Sequence, residues 1–92
     1  MDEGTVAKAE ERARIAKSIV EHPMVVEAFE ALDKRCWEAF KALGVAKVEE
    51  REHIHGLMRA QGDFREFFEI LIRDGKNARI AYDKLKQAKD VL

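Results

Sequence analysis

Residues 23–43 read PMVVEAFEALDKRCWEAFKAL, and the spacing within them decides the fold. Val25, Phe29, Leu32, Cys36, Phe40 and Leu43 follow one another at intervals of 4, 3, 4, 4 and 3. That is the period of one continuous apolar helix face, which Val26 and Trp37 widen. Pro23 suits the first turn of such a helix, where the missing N–H would have had no partner in any case. The residue before proline avoids the α region, so His22 closes whatever helix precedes it. Gly44 is a natural stop at the far end.

Working outward, a first helix is expected over about 5–21. Ala9, Ala13, Ala16 and Val20 give it a stripe of small residues, Ile15 and Ile19 stand beside the stripe, and Glu10 and Arg14 form an i,i+4 pair of favourable order. Downstream, a third and longest helix is expected over roughly 48–74, with Ile54, Leu57, Phe64, Phe68 and Leu71 as its stripe. Gln61 falls on that stripe where an apolar residue would be expected. Gly56 and Gly62 each cost about 1 kcal/mol against alanine, so they mark either a bend or a close backbone approach. Gly75 reads as the end of this helix and Asn77 as the N-cap of a fourth, over about 77–91. The fourth seam, Ala78, Ala81, Leu85, Ala88 and Leu92, is narrow and built mostly of alanine.

The expectation is therefore an all-α chain, residues 1–92 forming a single domain, as a small helical bundle or helical hairpin of three to four helices. Phe29, Leu32, Phe40, Phe64, Phe68 and Leu71 are its expected core. Eighteen acidic and seventeen basic residues leave a formal charge of −1, so no global attraction to nucleic acid or an anionic membrane is implied. No apolar run approaches the length that spans a bilayer. The single cysteine has no partner for an intrachain disulfide, which points to an intracellular protein.

The stretch from Glu10 to Ala78 carries three short spaced features: Glu21-His22-Pro23-Met24-Val25-Val26-Glu27-Ala28-Phe29, then Glu50-Arg51-Glu52, then Asp74-Gly75-Lys76-Asn77-Ala78, with the aromatic and aliphatic run from Phe64 to Ile72 between them. In these it resembles a family of small, mostly uncharacterised α-helical proteins encoded by tailed phages and prophages. Members of that family tend to sit among genes for head and packaging proteins. The resemblance implies a non-enzymatic accessory role in virion assembly or packaging, in the host bacterial cytoplasm or the virion. It supplies no catalytic residues. The alternatives are an anti-defence protein that binds a host protein or sequesters a nucleotide signal, and a DNA-binding packaging component. This sequence has His53-Ile54-His55 where an aromatic residue is commoner in the family.

The chemistry-bearing residues read as follows. His53 and His55 are two apart and point to opposite sides of a helix, whereas helical zinc pairs stand three or four apart. No metal, cofactor or catalytic residue is expected. Cys36 lies on an apolar stripe and reads as a small core hydrophobe. The carboxylates Glu49, Glu50, Glu52, Asp63, Glu66 and Glu69 alternate with Arg51, Arg59, Arg65 and Arg73, the pattern of a solvated face. The ligand- or partner-binding candidates are Trp37, as a tryptophan at a stripe's edge, and Arg51, Arg59, Lys76 and Arg79, as a basic pocket shared between subunits. Phe64, Phe67 and Ile70 are the expected oligomer interface, because Phe64, Phe67, Phe68, Ile70, Leu71 and Ile72 nearly encircle one helix and a helix apolar on several sides needs cover on several sides. A homo-oligomer is the expected state, with a nucleic acid or membrane partner not indicated.

Overall fold

The structure, a computed structural model, describes residues 2–44 and 46–91, the last of them by its backbone alone; Leu92, the last position of the predicted fourth seam, lies outside the described residues. The described residues form three helices and no strand: α1 (Glu3–Val20), α2 (Pro23–Ala42) and α3 (Val48–Val91). The chain is all-α, as the periodicity requires.

The helix boundaries follow from local chemistry. Asp2 starts α1, its Oδ1 accepting from the Thr5 N–H at 2.7 Å. His22 is more than the last residue before a proline. Its backbone is extended, its carbonyl accepts from the Val25 and Val26 N–H groups, and its Nδ1 accepts from the Met24 N–H at 3.1 Å. The imidazole therefore serves as the N-cap of α2. At the other end Leu43 is the C-cap, with φ −81° and ψ 137°, and its N–H donates to the Phe40 carbonyl. No described glycine has positive φ, so Gly44 follows the stop without forming a left-handed cap.

The expected third and fourth helices are one. The backbone runs helically through Asp74, Gly75, Lys76 and Asn77, so Gly75 is not a terminus and Asn77 is not an N-cap. The reason is tertiary. Gly75 is buried, and a Cβ built on it would stand 2.4 Å from the Ala13 Cβ and 3.0 Å from the Ala9 carbonyl oxygen. Its hydrogen side chain is what lets α1 approach. The small-residue stripe of α1 lies against α3 at this point, and the contact offsets the helix-propensity cost of a mid-helix glycine.

The chain divides into two compact units: residues 1–20 with 67–92, and residues 21–66. In the first, α1 runs antiparallel to α3. Glu10 meets Arg79, Ala13 meets Gly75, and Ala16 and Ile19 share a shallow depression with Phe68 and Leu71. Among the described residues Val6 and Ala16 are its buried apolar side chains. In the second, α2 runs antiparallel to the first part of α3. Phe29 meets Phe64, Cys36 meets Gln61, and Phe40 meets Arg51. Among the described residues Cys36 is its buried apolar side chain.

The expected core is thus only partly covered. Phe29, Phe40, Phe68 and Leu71 are half-buried, whereas Leu32 is exposed and Phe64 retains 57 % of its surface. A face can be apolar because its own chain buries it or because another surface does, and helical spacing does not separate the two.

Gly75 and Gly62 test the packing account. Gly62 has nothing within 4 Å of an added Cβ. Gly62→Ala is expected to stabilise the protein by up to about 1 kcal/mol through helix propensity alone. Gly75→Ala is expected to destabilise it by about 1–3 kcal/mol, because the overpacking outweighs the same propensity gain. Urea denaturation followed by circular dichroism reads both; equal stabilisation by the two changes would contradict a close approach at Gly75.

Candidate functional site

In the second unit the antiparallel pair α2 and α3 leaves an open groove of about 720 Å³. From α2 come Met24, Val25, Ala28, Phe29 and Leu32, and from α3 come Leu57, Ala60 and Phe64. The apolar stripe of α2 supplies one wall and that of α3 the other, so the groove is the direct product of two 3.6-residue periods meeting. Phe29 and Phe64 meet with ring centroids 6.1 Å apart and planes tilted by 52°. The Arg65 guanidinium lies 4.4 Å from the centre of the Phe29 ring and donates to Asp33 at 3.3 Å, so one side chain ties α2 to α3 by both its plane and its charge.

Two polar features interrupt the lining. Gln61, the polar residue on the α3 stripe, donates from Nε2 to the Cys36 Sγ at 3.6 Å, while its Oε1 is buried without a hydrogen-bond partner. Cys36 is buried, as its place on the stripe requires. The second feature is Arg35, exposed at the α2 side of the groove. Its guanidinium is the one charge in an otherwise uncharged lining. Leu57 keeps 46 % and Met24 63 % of its surface. An open trough lined this way has no enclosed, desolvated place for a reacting group, and suits a complementary apolar surface.

The other candidates fall in different places. Trp37 is 52 % exposed and stacks on Phe40 with centroids 6.0 Å apart, and Lys41 Nζ stands 6.0 Å from its ring centre. Arg51 covers the Phe40 ring at 5.2 Å and, with Val48, Glu52 and His55, edges a small depression. Phe40 therefore brings Trp37 and Arg51 together, a pairing that neither residue's position in the sequence announces. Arg59 stands exposed on α3 in the same unit. Lys76 is exposed on the part of α3 that belongs to the first unit. Phe67 and Ile70 are exposed there too, whereas Phe64 belongs to the second unit.

Arg79 is engaged within its own unit. Its Nη2 lies 2.7 Å from Glu10 Oε1 and 3.1 Å from Glu3 Oε1, its Nη1 lies 3.6 Å from Asp83, and its guanidinium stands 5.6 Å from the Tyr82 ring centre. Three carboxylates around one guanidinium leave the cluster acidic, a poor match to the basic pocket expected to include Arg79. The cluster is also what pins α1. Glu10 pairs with Arg79, while Arg14, expected to pair with Glu10, pairs with Glu11. Hydrogen bonds from Tyr82 and Arg79 hold the Glu3 carboxyl below the usual glutamate range, Arg79 does the same for Glu10, and the hydrogen bond to Glu3, with its charge, pushes the Tyr82 hydroxyl up. Arg79 itself is raised by its two glutamates.

Among the described residues no group of three or more His, Cys, Asp and Glu is placed to hold a metal ion, and no helix is long and apolar enough to cross a membrane. No family model matches the chain, and neither a curated protein nor a solved structure does.

The Arg79 cluster has a pH signature. Carboxyls held below their ordinary value stabilise the fold fully above that value, about 4.5 for glutamate, and lose the contribution as pH falls through the lowered one. Glu10→Gln is expected to lower the urea midpoint at pH 7 and to shrink the drop between pH 7 and pH 3. A drop as large as that of the unaltered protein would show that the Arg79 pairing does not anchor α1.

Proposed function

We propose that this protein is a non-enzymatic helical binding module that self-associates, acting as an accessory in the assembly or packaging of a phage particle. The observation that carries the self-association is the imbalance between apolar side chains and buried ones. Among the described residues the buried apolar side chains are Val6, Ala16 and Cys36, two of them small, while Leu57, Phe64 and Phe67 each leave about half of their surface in contact with solvent. Monomeric proteins rarely keep extended apolar patches uncovered, and patches of this kind mark interaction surfaces. The α2–α3 groove is lined by several such exposed apolar side chains, among them Met24, Leu32, Leu57 and Phe64. Its lining offers shape and apolar area, with none of the paired carboxylates, nucleophile–base pairs or phosphate-cradling backbone that chemistry would need.

The particle setting comes from the resemblance between residues 10 and 78 and the phage-encoded helical family. A role in sequestering a nucleotide signal is less favoured, because the guanidinium of Arg79 is already taken up by carboxylates.

Two measurements test the two halves. Light scattering at micromolar concentration is expected to give at least twice the 10.6 kDa chain mass. Mass spectrometry of purified virions is expected to find the protein in the particle. A chain mass matching the monomer would remove the self-association, and absence from virions would remove the assembly role while leaving the binding module.

A further inference from the structure

We infer that the α2–α3 groove is filled by the same groove of a second copy, in a two-fold pairing that sets α2 of each chain against α3 of the other. The inference rests on the self-association proposed above and names the surface that performs it.

The first argument is the match between the two flanks of the groove. Along α2, Ala28, Ala31 and Arg35 follow one another at intervals of 3 and 4 on one flank. Along α3, Gly56, Ala60 and Asp63 do so at intervals of 4 and 3. Ala28, Ala31, Gly56 and Ala60 are all exposed, and a Cβ added at Gly56 would meet nothing within 4 Å. Gly56 therefore makes no close approach within its own chain, unlike Gly75. Small residues on both flanks allow two backbones to come near each other, and large ones between them, Leu32, Leu57 and Phe64, supply the apolar area.

Charge is the second argument. Arg35 stands on the α2 flank and Asp63 on the α3 flank, and among the described residues neither has an ion-pair partner in its own chain. A two-fold axis running along the groove sets each copy's α2 flank against the other's α3 flank at the same level. Within one chain, the levels of Cys36 and Gln61 coincide. Because the two helices run antiparallel, Arg35 then comes level with Gly62 of the second copy and within one helical turn of its Asp63. The same operation makes this pairing twice, as an isologous interface requires.

Light scattering and sedimentation on the full chain decide it, with circular dichroism to confirm that each variant stays helical. Ala60→Glu changes an exposed residue and puts a charge in the seam; it is expected to give a monomer. Arg35→Asp is expected to weaken association about fivefold, the effect of a rim charge pair. Adding Asp63→Arg to Arg35→Asp is expected to restore it. Leu85→Glu, on the other unit, is expected to change nothing. If Ala60→Glu stays associated while Leu85→Glu dissociates, the chain self-associates by another surface and this inference fails alone. If the reversed charge pair does not restore association, the flank pairing is wrong. A monomeric unaltered chain removes both this inference and the reading beneath it.

Discussion

The contact between Gly75 and Ala13 is the constraint on which the rest of the architecture depends. It lets α1 lie against α3 without interrupting it, so that a helix of 44 residues persists where local signals favour a break. With α3 continuous, α1 docks on one part of it and α2 on the other. The two dockings are made differently. α1 is held by small residues in close approach and by an ionic cluster in which Arg79 draws in Glu3 and Glu10. α2 is held by aromatic and cation–π contacts, with the Arg65 guanidinium over Phe29 and that of Arg51 over Phe40.

That difference explains why one unit carries the candidate site. Alanines and a glycine bring backbones together and leave little between them. Phenylalanines and leucines on facing stripes hold their helices apart and leave a trough. The groove between α2 and α3 is a consequence of side-chain size, and its apolar lining stands open to solvent. Gln61 adds a polar cross-link to Cys36 within it, and leaves one amide oxygen buried and unpaired. Such a group costs stability.

Much of this was legible in the residues alone. The intervals of 4 and 3 from Val25 to Leu43 specify α2 almost to the residue, and His22-Pro23 places its start. Gly75 misleads because a helix-ending glycine and a packing glycine look the same locally; what distinguishes them is Ala13, sixty-two positions away in the chain. Arg79 misleads for a related reason. Its neighbours in sequence are largely basic, but its neighbours in space are carboxylates delivered by α1. The stripe through Phe64 and Leu57 identifies an apolar surface correctly and says nothing of whether the chain covers it.

The central claim is that this apolar surface is completed by association. It is tested most directly by the thermal midpoint as a function of protein concentration. A fold completed by a second copy gains stability with concentration by mass action, so the midpoint is expected to rise steadily over a hundredfold range of concentration. A midpoint that stays constant over that range, at a mass of one chain, would show that the uncovered faces belong to a self-sufficient monomer and would contradict the account.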